Sequence, residues 1–364
     1  MQNLTRAHDE LFSRGADESF ATLQDLWQHC QDEKQRSVDR WHPPQAIKTE
    51  PTGGRFRIAL GEDGTYDMNE WSYSQLCRLA GVNKDTLNRV SAATASQIFF
   101  ETLPRDGKPL QALTMEKTVR AMHGAAYTRL YNVDLLSMVR EFATDFQPPQ
   151  RAGMPGPTRP AADDDAPFDA DPAPDVPRGT GLYCGEQDMF CFLIDPTGWA
   201  EINGEAFAPG FFLWNSEVGR RSVGIQTFWF QAVCANHIVW DAVEIVEFTR
   251  KHTANVYECF GQIRTIIEKL VTRRDERRDG FAAVMRKAMQ TQLGSNAEDV
   301  LKVLAKQGIA RAAAKEAVEI AARRGRFTIF CLVDALTRLA GQIKHAGDRT
   351  EADERASALL ALAA

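Results

Sequence analysis

The chain lacks any run of about 18 apolar residues, and its opening stretch, "MQNLTRAHDELF", holds nothing like the apolar segment of a secretory leader. Neither a membrane span nor a signal peptide is expected, and the chain reads as cytoplasmic. It is also short of paired cysteines. Cys30, Cys77, Cys184, Cys191, Cys234, Cys259 and Cys331 are odd in number and widely spaced, with no Cys-x-x-Cys among them. That argues against a disulfide framework and fits free thiols in a reducing compartment. No P-loop, Gly-x-Gly-x-x-Gly or Gly-x-Ser-x-Gly elbow occurs, and "GTGLYCG" has too few glycines to cradle a phosphate. Excess charge is modest too. The net charge is -6, but the six Asp and three Arg of 151–180 carry half of it, leaving -3 on the rest. A whole-protein basic field is excluded, so any nucleic-acid role needs a local patch.

What is present suffices for a large core. Of 364 residues, 44% are apolar, so no staples are needed. Residues 4–37 carry helical spacing, "HPPQAIKTEPTGG" reads as a loop, and "RFRIAL" as a strand meeting a "GEDG" turn. Spacing from Ser72 to Phe100 is helical, "LTMEKTVRAMHGAAYTRL" is ambiguous, and "NVDLLSMVREFATDF" is a helix starting at Asn132 or Asp134. The Pro-, Gly- and Asp-rich stretch after Gln147 cannot bury enough to order itself. Strands follow in "LYCGEQDMFCFLID", "GFFLW", "RSVGIQTFWFQAVC" and "HIVWD", and from Ala242 onward the pattern is helical. Apolar residues at both phases of 223–234 predict a strand covered on both faces. The expected fold is α+β: an antiparallel β-meander core flanked by helices, a helical C-terminal region and a disordered acidic, Pro-rich insertion. The segments are 1–45 (helical), 46–147 (first part of the core), 148–180 (insertion), 181–252 (β-rich second part) and 253–364 (helical).

Several motifs admit a functional and an ordinary reading. "YSQLCRLAGVNKDTLNRV" (73–90) has helix-turn-helix spacing, with Lys84, Thr86, Asn88 and Arg89 on a reading face; a plain helical hairpin gives the same pattern. Cys184, Cys191, Cys234 and His237 could be drawn as a zinc set, yet only Cys234 and His237 have ligand spacing, so no metal and no cofactor are expected. Asp134 with Glu141, or Glu217 with Asp241, could serve a metal-dependent nuclease, though no spacing singles them out. "FAPGFFLWNSEVGRRSVG" (207–224) breaks a sheet-like run with Asn, Ser, Glu and an Arg pair. Arg220 and Arg221 there, Arg250 and Lys251 where strand passes into helix, and the arginines of "TRRDERR" are candidate phosphate clamps on a sheet edge. Trp214, Phe228, Trp229 and Phe230 are candidate base-stacking rings, or plain core.

"PGFFLWNSEVGRRSVGIQTFWFQAVCANHIVW" resembles the signature of the phage- and plasmid-associated domain of unknown function 932: Pro209-Gly210, then Asn215 to Gly219, then the aromatic strand Phe228 to Phe230 ending near Cys234 and Asn236. Where the family usually has Asn-Gly, this chain has Asn236-His237. "VRAMHGAAYTRLYNVDLL" (119–136) and "FTIFCLVDALTRLA" (327–340) resemble further family segments, and the likeness spans most of 70–345. The order of helix, strand meander and helices is also similar, more distantly, to single-strand annealing proteins of the Redβ, RecT and ERF kind. The resemblance implies a mobile-element protein that binds single-stranded DNA without catalysis, in annealing, recombination or repair. On that reading Arg220, Arg221, Arg250, Lys251, Asn215 and Trp214 touch DNA. Glu217 orients Arg220 or Arg221, and Gly210 and Gly219 permit the sharp backbone. An acidic monomer that grips a strand weakly implies a homo-oligomeric ring or filament. The alternatives are a sequence-specific regulator using 73–90, or a metal-dependent nuclease or anti-defence protein.

Overall fold

The computed structural model describes residues 16–52, 55–149, 181–231, 237–239, 247–323, 325–340, 356 and 359–362. The expected insertion lies outside these residues except for its first two prolines.

Helix α1 (Leu23–Arg36) opens where the Thr22 side chain accepts a hydrogen bond from the Asp25 N–H. It runs into β1 (Ser37–His42), followed by β2 (Ile47–Thr52), β3 (Arg55–Leu60) and β4 (Thr65–Met68). Three helices come next, α2 (Glu70–Ala80), α3 (Lys84–Leu87) and α4 (Ala92–Thr102), each begun by an Asn or Ser side chain capping the N–H three residues on. Strands β5 (Leu110–Met115) and β6 (Thr118–Gly124) complete a sheet of order β1-β5-β6-β4-β3-β2, antiparallel apart from β4 against β6. Apolar side chains of α2, α3 and α4, among them Leu76, Leu87 and Phe99, bury Ile58, Leu60 and Val119 of that sheet.

Helix α5 (Asn132–Phe142) leads to the second sheet. It holds β7 (Leu182–Cys184), β8 (Met189–Ile194), β9 (Ala200–Ile202), β10 (Glu205–Asn215), β11 (Val223–Gln231), β12 (His237–Val239) and β13 (Glu247–Arg250). The path is β12-β11-β10-β8-β7, with β9 on β10 and β13 on β11, and every pair is antiparallel. The chain is thus α+β with a meander at its centre. Alternation assigns the faces. Phe211, Leu213, Val223 and Ile225 pack with α1, α5 and α6 (Cys259–Thr272). Phe190, Phe192, Phe212, Trp214, Phe228 and Phe230 form a buried aromatic cluster on the opposite face. Burying a side chain of this size contributes about 1.5–3 kcal/mol, so the two-faced burial is a main source of stability.

Helices α7 (Arg274–Gln290), α8 (Ala297–Lys306), α9 (Arg311–Arg323) and α10 (Ile329–Ala340) build a further core around the end of the second sheet. There Trp229 stacks on Phe281 with ring centroids 4.0 Å apart and planes within 7°.

The elements depart from expectation in three places, and a fourth settles an open reading. Ser37–His42, within the stretch read as helical, is a strand paired with β5. Ile47–Thr52, read as loop because of its prolines, is a strand: Pro51 sits opposite Phe56 on the sheet's edge, where a missing N–H breaks no ladder. The stretch 113–130, ambiguous between helix and strand in the sequence, enters a hairpin of Leu110–Met115 and Thr118–Gly124 and leaves it after Gly124. Glu247–Arg250, inside a segment read as helical, is β13, and the helix begins only at Cys259. Among the described residues no helix is long and apolar enough to cross a membrane.

Candidate functional site

The turn between β10 and β11 is where the two sheets meet. Asn215, Ser216, Glu217 and Val218 are all buried, despite the polarity of three of them. The Asn215 side-chain amide donates to Leu130 O and to Asn132 Oδ1, both at 2.8 Å. One Glu217 oxygen accepts from the Asn132 N–H at 2.8 Å, at the start of α5. The other faces Arg120 of β6 at 3.4 Å, and Arg120 in turn lies 3.5 Å from Glu33 of α1. Burial pushes the Glu217 carboxyl up from its ordinary range, and Arg120 pulls in the opposite direction.

The backbone of the turn is held as firmly. The Trp71 indole donates to Val218 O at 2.7 Å. The Tyr127 hydroxyl donates to Glu217 O at 2.9 Å, and Arg129 donates to the same oxygen. Arg129 also forks onto Asp39, with contacts from 2.8 to 3.1 Å, and the Tyr131 hydroxyl donates to Asp39 at 3.0 Å. Side chains of α2, β1 and the segment after β6 thereby clamp a turn of the second sheet. Such a network is costly when incomplete, because each severed partner leaves a buried polar group unpaired.

Beside the turn, His123 stacks on Tyr127 at 3.7 Å, and Tyr127 on His252 at 5.3 Å. Burial pushes His123 down to about 3 and His252 down to about 4, with Arg129 adding to both shifts. Both imidazoles are neutral near pH 7 and supply no charge for a phosphate. Gly219 takes φ +69° against this stack, and a Cβ on it would stand 2.5 Å from His123 Cε1 and 3.0 Å from Tyr127 Cε2. Gly219→Ala is expected to cost about 1–3 kcal/mol in chemical denaturation, combining backbone strain and crowding. Gly261→Ala in α6, where a Cβ meets open space, is expected to be neutral or slightly stabilising.

The predicted contact residues fall into two sets. Trp214 and Asn215 are buried and cannot reach a ligand in this fold. Trp214 stacks on Phe212 at 5.0 Å and its ring covers Gly224. Glu217 orients neither Arg220 nor Arg221; its partners are Arg120 and Asn132. Gly210 lies in the middle of β10 rather than in a turn, and a Cβ there would come 2.5 Å from Leu193 O, so its role is close strand packing. Arg221 pairs with Asp188 and lies over the Phe190 ring. Arg250 donates to Glu258 at 2.6 Å and to Asn255 O at 2.8 Å. Arg220 and Lys251 remain exposed and have no acidic partner among the described residues. The Arg220 guanidinium lies over the Trp71 ring at 5.1 Å, and the Arg220 backbone N–H donates to Ser216 Oγ at 2.9 Å.

The other candidates dissolve into structure. In "TRRDERR", Arg273 pairs with Glu276, Arg274 with Asp145 and Asp195, and Arg278 with Asp275 and Asp279, while Arg277 is buried. The helix-turn-helix reading fails on length. After the left-handed Gly81, α3 is a single turn and too short to lie along a groove, and Lys84 is held by Glu70 at 2.8 Å. Phe228, Trp229 and Phe230 are core. Asp134 binds Lys34 at 2.6 Å, and Asp241 lies outside the described residues, as do Cys234 and the His237 side chain.

Arg120, Arg129, Asp39, Trp71 and Tyr127 were not singled out individually from sequence, and Asn132 was read only as a possible helix start. The signal for Arg120 was its place between Val119 and Ala121 in the ambiguous stretch, while Arg129 lies outside any strand. Compared with protein-family models, curated proteins and solved structures, the chain gives no match.

Proposed function

We propose that the protein binds the sugar-phosphate backbone of single-stranded DNA without catalysis, in the handling of DNA by a mobile element. The observation that carries this reading is the position of Arg220 and Lys251. Val223 lies opposite Arg250 where β11 meets β13, so both cations leave the strand pair at the same end. Both are exposed, free of carboxylates among the described residues, and anchored next to a turn whose carbonyls are clamped by Trp71 of α2 and Tyr127 after β6. A protein that presents a strand for pairing needs to grip phosphates and leave base edges free, and two cations on a rigid support do that.

Two charges on an acidic chain give a weak contact. Useful affinity comes from several subunits lying along one strand, as a ring or filament, which multiplies a modest interaction. The test is fluorescence anisotropy with labelled oligonucleotides of unrelated sequence. The Arg220→Ala/Lys251→Ala double variant is expected to lose about 1–3 kcal/mol of binding, by the same amount for every sequence. Arg264→Ala on α6, whose partner is Glu268, serves as control and keeps wild-type affinity. Equal affinity of wild type and double variant refutes the reading.

A further inference from the structure

A cluster of donors next to the clamp takes no part in the proposed DNA contact. His29 and Glu33 are one turn apart on α1 and therefore share a face, and Cys30 is buried on the same helix. Cys184 ends β7 directly against them. His29 Nε2 is 3.8 Å from Glu33 Oε1, and the ligand atoms of His29, Glu33 and Cys184 all lie within 4.8 Å of one another. The Cys30 and Cys184 sulfurs are 3.9 Å apart. Two thiolates on a tetrahedral zinc with bonds of about 2.3 Å stand about 3.8 Å apart, so this pair already has the required edge.

We propose that His29, Glu33 and Cys184 form a structural zinc site joining α1 to the second sheet, and that Cys30, whose sulfur is 3.9 Å from that of Cys184 but lies outside the three-residue cluster, turns in as the fourth ligand. The donor set suits a borderline-soft cation: thiolate sulfur and imidazole nitrogen favour zinc over magnesium or calcium. The surroundings supply the outer contacts that such sites use. Arg120 lies 3.5 Å from Glu33 Oε2, which leaves Oε1 on the His29 side. The Asn132 side-chain amide approaches the Cys184 sulfur at 3.8 Å. Two thiolates and a carboxylate around a dication leave one negative charge, and Arg120, which also faces Glu217, lies on the Glu33 side of it. Cys30, Cys184 and Glu33 are buried, whereas the His29 side chain is 38% exposed, so an ion has a way in. Four closed protein ligands describe a structural site rather than a catalytic one. The set shares only Cys184 with the zinc set considered from sequence.

The experiment uses the full chain, expressed with zinc in the medium and purified under reducing conditions without chelator. Mass spectrometry of the metal content is expected to find about one zinc per chain. Cobalt(II), added to stripped protein, is expected to give the near-ultraviolet absorption of a cobalt–thiolate bond. Cys184→Ser and His29→Ala should each lose the metal and the absorption, while Cys331→Ser, in the separate C-terminal core, keeps both. If Cys184→Ser does not fold, His29→Ala decides, because that side chain is partly exposed. Protein without stoichiometric zinc and without the cobalt–thiolate absorption overturns the proposal. Full metal retention in His29→Ala overturns it equally.

Discussion

Glu217→Ala is expected to lower the unfolding free energy by about 3–5 kcal/mol, the usual cost of removing one partner from a buried charged pair. Arg120 would keep Glu33, at 3.5 Å, as its carboxylate among the described residues and Ser37 Oγ at 3.4 Å, and the Asn132 N–H would lose its acceptor in a site closed to water. Glu217→Gln should fall between wild type and Ala. It keeps an oxygen for the Asn132 N–H, and because burial raises the Glu217 pKa, the neutral group is the less penalised form at that depth. Arg120 still loses a counter-charge, so Gln does not restore wild-type stability. Denaturant midpoints at pH 7 order the three proteins. An Ala variant within about 0.5 kcal/mol of wild type would mean that Glu217 behaves as a surface residue, contrary to the clamp.

Trp214→Ala is expected to cost a similar amount, about 3–5 kcal/mol, through the cavity left in the aromatic cluster. The ring is only 3% exposed, stacks on Phe212 and presses on Gly224 from the paired strand. A base-stacking tryptophan would behave otherwise: its loss would weaken DNA binding and leave the melting transition in place. Measured together, a large drop in stability with unchanged affinity of the folded fraction supports burial. A folded, stable variant that has lost affinity contradicts it.

The difference between these two residues and their expected roles explains what the sequence could and could not convey. Strand 223–231 was legible because Val223, Ile225, Trp229 and Phe228, Phe230 alternate within a few residues of one another, and both phases proved buried. The hairpin turn at Gly61–Gly64 was legible for the same local reason. The run Asn215-Ser216-Glu217 was read as a surface because such residues mostly face water. Its partners, Leu130, Asn132 and Arg120, lie 83 to 97 residues away, and no local spacing announces them. Pro51 hid an edge strand, and Glu247–Arg250 was too short to break the helical pattern around it. Lys251 and Arg220 were picked for their charge, but so were Arg221 and Arg250; only the positions of Asp188 and Glu258 separate the free pair from the tied one. The metal-type cluster shows the same limit. His29 and Glu33 stand at helical spacing, whereas Cys184 follows Cys30 by 154 residues.

Binding of labelled single-stranded DNA across a salt series reads phosphate contacts directly. Each contact on a single strand adds about -0.7 to the slope of log K against log salt, so Arg220 and Lys251 together contribute about -1.4 per subunit. Wild type is expected to bind at low salt and weaken with at least that slope, and Arg220→Ala/Lys251→Ala to be shallower by about that amount. No binding at the lowest salt, or a double variant whose slope equals that of wild type, would contradict a DNA-gripping role for this end of the sheet.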